Sequence, residues 1–202
     1  MSWTPDPNAF LAELESVPAI LRELAASFAD DPWRGVELDR RIVCIGMGSS
    51  RFAARRAADA SEELLAGRDA WLPDAAGVLG ETGPRFLIAP QERISSALQG
   101  ALMFREGPRQ QADACETGDW LHVDVYLTQP MSYRAVLFAG SRFDVDVARW
   151  INDRGGRVLA VGARPDADVE VRYRGDDDVD VALLTEVLVP ELLTAEAWDR
   201  QA

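Results

Sequence analysis

An α/β fold, a three-layer α/β/α sandwich with a mostly parallel sheet, is what this sequence predicts. Three observations carry the prediction. Short apolar runs at 85–90, 134–140 and 157–162 alternate with longer segments of helical periodicity. The run RFLIAP is continuously apolar after its first residue, as in a strand covered on both faces. Helical segments separate the runs, and that order gives parallel pairing with helices on both sides of the sheet.

The elements follow in order. Residues 9–29 carry apolar positions at helical spacing, with Pro18 dividing or opening the helix. The run 41–48, RIVCIGMG, predicts a strand that ends in glycines, and 49–67 a helix after it. This arrangement presents backbone N–H groups to an anion, and Gly48, Ser49 and Ser50 are the candidate contacts. A dinucleotide fingerprint fails here, because its third glycine would fall on Arg51. A helix is expected over 69–81, a strand at 85–90 and a helix over 91–106 that ends at Gly107-Pro108. Strands are then expected at 120–127, 134–140, 157–162 and in the short VEVRY. Helices are expected over 141–156 and, as one closing helix, over 180–198. Ligands on such sheets lie at the carboxyl ends of the strands.

With 202 residues the chain suits one good α/β domain. A formal net charge of -13 argues against nucleic acid or an anionic membrane surface as a general partner. All 21 basic residues are arginine, so Schiff-base and lysine acid–base chemistry are excluded. Two cysteines make no disulfide framework: Cys44 is a core residue of its strand, and Cys115 lies in a polar stretch. No apolar leader or run of membrane-spanning length is present, and a cytoplasmic location is expected. The acidic run Asp176–Asp178 fits a solvated loop at a helix N-terminus better than a metal site. No metal and no cofactor is expected.

Two residues stand out chemically. Glu106 closes the helix that also carries Gln99 and Met103, and their i, i+4, i+7 spacing places all three on one face. A carboxylate in the last turn of a helix suits a base that takes and returns a carbon-bound proton. His122, the only histidine, falls in the expected strand 120–127 on a polar-aromatic face with Trp120, Asp124 and Tyr126; Asp124 could orient its imidazole.

The stretch Gln99-Gly100-Ala101-Leu102-Met103-Phe104-Arg105-Glu106, followed by Ala112-Asp113-Ala114 and Gly118-Asp119-Trp120-Leu121-His122, resembles the signature of the sugar isomerase (SIS) family. It is similar to the second subdomain of the isomerase part of glutamine–fructose-6-phosphate aminotransferase and of its stand-alone relatives. The resemblance implies a flavodoxin-like sheet, a sugar-phosphate ligand and a homodimer. It implies Glu106 as the base that shuttles a proton between C1 and C2, and His122 as the group that opens the sugar ring from the partner subunit. Gln99 stands where the family has a glutamate, and Met103 where it has a lysine. Upstream, Glu13 through Pro18 is similar to the family's entry segment, and Gly48, Ser49 and Ser50 match its first phosphate-contacting turn. The phosphate loop S-x-S-G-x-T is absent from the sequence, and ammonia transfer from glutamine is not expected. The expected organisation is therefore a remnant of a first subdomain with N-terminal helices over 1–67, and one SIS subdomain over 68–202. The strand near 41–46 would join a sheet edge or a second copy. Three functions remain open: a sugar-phosphate isomerase or deaminase-like enzyme, a phosphosugar-binding module without turnover, and a shortened structural domain.

Overall fold

The computed structural model describes residues 6–27, 50–164 and 166–201. The expected strand at 41–48, with Cys44, Gly48 and Ser49, lies outside these residues; Ser50 enters only as the first residue of a helix.

Chain order begins with helices α1 (Pro7–Ser27), α2 (Ser50–Ala66) and α3 (Arg68–Leu79). Strand β1 (Arg85–Ala89) leads through a 3-10 turn at Gln91–Arg93 into α4 (Ile94–Glu106). There follow β2 (Ala112–Glu116), the short α5 (Thr117–Trp120), a 3-10 turn at Asp124–Thr128, β3 (Arg134–Phe138) and α6 (Asp144–Asp153). The chain continues with β4 (Arg157–Val161), β5 (Val169–Val171), α7 (Val179–Thr185) and α8 (Leu188–Asp199).

Five strands form one sheet in the order β2-β1-β3-β4-β5, with every pairing parallel. The strands' two faces divide the core. Leu87, Ala89, Val136, Phe138, Leu159 and Val161 face a cluster that includes Phe104, Val181, Leu188 and Leu192. Phe86, Ile88, Ala135, Leu137 and Val158 face the second cluster, with Trp120, Val125, Val147 and Ile151. In the latter, the Phe86 and Tyr133 rings stack 4.0 Å apart, and the Trp120 indole N–H donates to the Tyr133 hydroxyl at 2.7 Å. An aromatic cluster whose polar ends satisfy each other can be buried without loss. The α/β expectation holds: a parallel sheet lies between helical layers, with N-terminal helices added to one of them.

Four local expectations need correction. Residues 120–127 form no strand; α5, a turn and the 3-10 segment take their place. The strand next to β1 is Ala112–Glu116, at the edge of the sheet among the described residues. Pro18 does not divide α1, which runs unbroken through it. The closing helix is two helices, α7 and α8, that part at Glu186 and Val187.

Candidate functional site

Helix α4 is held close to the sheet by its small residues. A Cβ on Gly100 would come within 2.6 Å of Leu87 Cδ2 and 2.9 Å of Pro190 Cβ, so glycine is what lets α4 lie against β1 and α8 together. Ala97 and Ala101, both buried, extend the same stripe. Beside it, Gln99, Met103 and Glu106 face a groove between α1, α4 and α8 of about 520 Å³. Asp6, Phe10, Glu13 and Val17 supply its α1 wall, and Glu191, Thr194 and Trp198 its α8 wall. Asp6 also starts α1, with its carboxylate accepting from the Asn8 N–H at 2.9 Å. The Phe10 and Trp198 rings meet with centroids 6.2 Å apart.

The groove is acidic. Four carboxylates, Asp6, Glu13, Glu106 and Glu191, line it, and none of its lining residues is a cation. The Gln99 amide donates to Glu191 Oε1 at 3.3 Å. Burial holds the Glu191 carboxyl above the usual range, opposed by that bond from Gln99. Glu106 is exposed and forms no ion pair among the described residues. Arg105 and Arg109, its sequence neighbours, do not bind it. The groove therefore offers a set of hydrogen-bond acceptors with an apolar floor, which suits a polyhydroxylated or amino-bearing ligand.

The other expected site residues lie elsewhere. Helix α4 runs from the carboxyl edge of the sheet back to the amino edge, so Glu106 sits where β1 and β2 begin. There Arg85 N–H bonds the Gln111 carbonyl at 3.1 Å. Strand β2 then crosses to the carboxyl edge, about 17 Å at ~3.3 Å per residue, before α5 and His122. Glu106 and His122 of one chain are thus at opposite edges of the sheet. The His122 and Val123 N–H groups both bond the Asp119 carbonyl at 3.0 Å, in a turn that leaves His122 exposed. Asp124 makes no bond to His122 among the described residues. It lies instead beside Cys115, whose thiol is pushed up to about 12 by burial first and by Asp124 next. A thiol held that high is inert at neutral pH. Ser50 begins α2, whose far end near Arg68 is tied to α1 by the Arg68–Glu15 pair at 2.7 Å. The 17 residues of α2 span about 25 Å at ~1.5 Å each, so Ser50 and the Glu106 groove do not meet in one chain.

The sequence reading missed a polar cluster at the carboxyl edge, between β1 and β3, where the strand order reverses. The Arg93 guanidinium donates to Glu186 and to the Ala139 carbonyl; the two side chains are only 6% and 0% exposed. Asp144 Oδ2 accepts from the Gly140 and Ser141 N–H groups at 2.6 and 3.0 Å. A Cβ on Gly140 would stand 2.3 Å from Arg93 Nη2. This crevice, where an open α/β sheet commonly seats its ligand, is packed with the protein's own side chains. Only the Gly140-Ser141 turn signalled it in sequence.

No family model and no curated protein matches the sequence. Solved structures do. The C-terminal domain of glucosamine-fructose-6-phosphate aminotransferase from Francisella tularensis aligns over 75% of this chain and 44% of its own, with TM-score 0.57 at 13% identity. A protein from Clostridium difficile 630 described as a phosphosugar isomerase aligns over 76% and 45%, with TM-score 0.60 at 11% identity. Another so described, from Silicibacter pomeroyi DSS-3, aligns over 76% and 54%, with TM-score 0.52 at 19% identity. The chain spans about half the length of these structures. Its fold is that of a sugar-isomerase (SIS) domain.

Proposed function

We propose that this chain is a phosphosugar-binding domain whose sugar moiety lies in the groove between α1, α4 and α8. One observation carries the reading. The three residues that sequence spacing places on one face of α4 line a groove of ligand size with acceptors on three helices. Gln99 and Glu191 form a bonded pair on its wall, and Glu106, in no ion pair among the described residues, stands at its end. Sugar hydroxyls donate well to such a set. The phosphate would extend out of the groove, because four carboxylates and no cation line the interior.

Proton transfer between C1 and C2 of the sugar is a second reading, favoured by the exposed carboxylate of Glu106. It requires two copies of the chain, because His122 of the same copy is at the other edge of the sheet. Glu106 of one copy would take the carbon-bound proton, while His122 of a second copy assists ring opening. Gly48, Ser49 and Ser50 of that second copy are the candidate contacts for the phosphate.

Thermal melts with fructose 6-phosphate, glucosamine 6-phosphate and inorganic phosphate test the binding. A ligand at 100 times its Kd stabilises by about 2.7 kcal/mol. The expected result is a shift with at least one sugar phosphate that is reduced in Gln99→Leu. No shift with any of them at about 10 mM would leave only a structural role. Solvent deuterium incorporation at C2, present in the wild type and absent in Glu106→Gln with binding kept, would establish turnover.

A further inference from the structure

A second cavity, of about 290 Å³, opens on another face of α8, at the amino edge of the sheet. Its wall contains Arg85, the first residue of β1, only 2% exposed. The guanidinium donates to the carbonyls of Gly83 at 3.1 Å and Gly80 at 2.6 Å, and lies 5.3 Å from the centre of the Phe104 ring. Among the described residues its Nε–H has no partner and no carboxylate pairs with it. Burial and the neighbouring Arg134 both hold its pKa below the usual arginine range. Carbonyl oxygens satisfy N–H groups but leave the charge uncompensated, and a buried uncompensated charge is costly. Gln110, on the same wall, has its own loose end: its amide nitrogen reaches the Glu81 carbonyl at 3.5 Å, while its buried Oε1 accepts nothing.

The charge balance favours one negative charge over two. Arg200 on the cavity wall is already paired with Glu196, at 2.8 Å. Arg134, the neighbouring cation, is turned to the Leu79 carbonyl at 2.8 Å and is not among the residues that line the cavity, so a dianion such as phosphate would neutralise Arg85 and then face Glu81 and Glu196 with a charge to spare. The remaining wall includes the side chains of Leu79, Phe104 and Leu193, which want hydrocarbon against them. The idle Gln110 oxygen wants a donor.

We infer that this cavity binds a small hydroxy-carboxylate monoanion: carboxylate against Arg85, hydroxyl to Gln110 Oε1, apolar body against Leu79, Phe104 and Leu193. Binding here is independent of the groove, which uses other faces of α4 and α8.

Calorimetric titration of the full chain with 2-hydroxy-4-methylpentanoate, 4-methylpentanoate and inorganic phosphate tests it. The hydroxy acid is expected to bind with 1:1 stoichiometry and a Kd below about 1 mM, with the deoxy acid about tenfold weaker. Phosphate is expected to bind more weakly than either. Arg85→Met should weaken the hydroxy acid at least about tenfold. Because that variant removes a buried residue of β1, Ala197→Phe provides a second test; it fills the cavity from α8 with Arg85 untouched, and binding should vanish while the melt stays cooperative. No saturable heat with either acid at about 10 mM, an unchanged affinity in Ala197→Phe, or phosphate as the tightest of the three would overturn the assignment.

Discussion

Glu186 shows what a buried carboxylate does to this protein's response to pH. Burial pushes its carboxyl up to about 7, against the pull of Arg93. The folded state therefore holds this proton over a pH range in which the unfolded chain, with its ordinary value of 4.5, has lost it. The contribution to stability is full below the unfolded value and is lost as pH rises through the folded one. The stability of the wild type relative to Glu186→Gln should fall between pH ~4.5 and ~7, by on the order of 3 kcal/mol at most. Urea unfolding at a series of pH values measures this, and a flat difference would contradict it. No sequence pattern announces the Arg93–Glu186 pair, because 93 positions separate its members and only the tertiary fold joins them. The Gln99, Met103 and Glu106 face was legible for the opposite reason: it lies within one helix, where the 3.6-residue period decides which side chains are neighbours.

At the scale of elements, the two failures over 112–127 have one cause. The run WLHVDVYL alternates in hydropathy, but the residues it buries are Trp120 and Val125, with Thr128 just beyond its end, while Val123 is 64% exposed. That spacing belongs to turns and 3-10 structure rather than to a period of two. Trp120 is decided by a tertiary demand, a place for its indole beside Tyr133. The true strand, ADACE, consists largely of residues that sheets disfavour. It lies at the edge of the sheet formed by the described residues, where the exposed Asp113 disfavours pairing with another chain. The division of the last helix was readable in principle. In one continuous helix Pro190 would remove a bond to the Glu186 carbonyl and crowd it. Starting α8 at Leu188 instead places the proline in the first turn, where its missing N–H costs nothing. The acidic run before α7 behaves as charge logic requires, with Asp178 capping the helix through the Asp180 and Val181 N–H groups. Packing of α4 makes a sharp prediction. Gly100→Ala gains helix propensity but drives a methyl into Leu87 and Pro190. A net loss of about 1–2 kcal/mol is expected. Gly77→Ala in α3, with nothing within 4 Å of its Cβ, should be neutral or stabilise by up to about 1 kcal/mol. Equal effects at the two positions, in matched urea titrations, would show that α4 does not approach the sheet this closely.

For the whole molecule, the parallel sheet was legible because its central strands are buried on both faces and read as continuous apolar runs. The site was less legible, because the residues chosen for it are distributed over two edges of one sheet and the end of a distant helix. Glu106 and Gln99 share the groove; His122 and Ser50 do not. Their cooperation in one site therefore implies association of two chains. Sedimentation of the full chain should give twice the monomer mass in the presence of glucosamine 6-phosphate. A monomer that still exchanges the C2 proton would contradict a shared site.

If the α1–α4–α8 groove holds the sugar, the bound ligand will be found there. A crystal structure of the chain with bound glucosamine 6-phosphate tests it most directly. The sugar ring is expected between Gln99, Glu106 and Glu191, with hydroxyl or amino donors on those oxygens and the phosphate outside. A ligand seated instead at the carboxyl edge, beside Arg93 and the Gly140-Ser141 turn and with the groove empty, would contradict it.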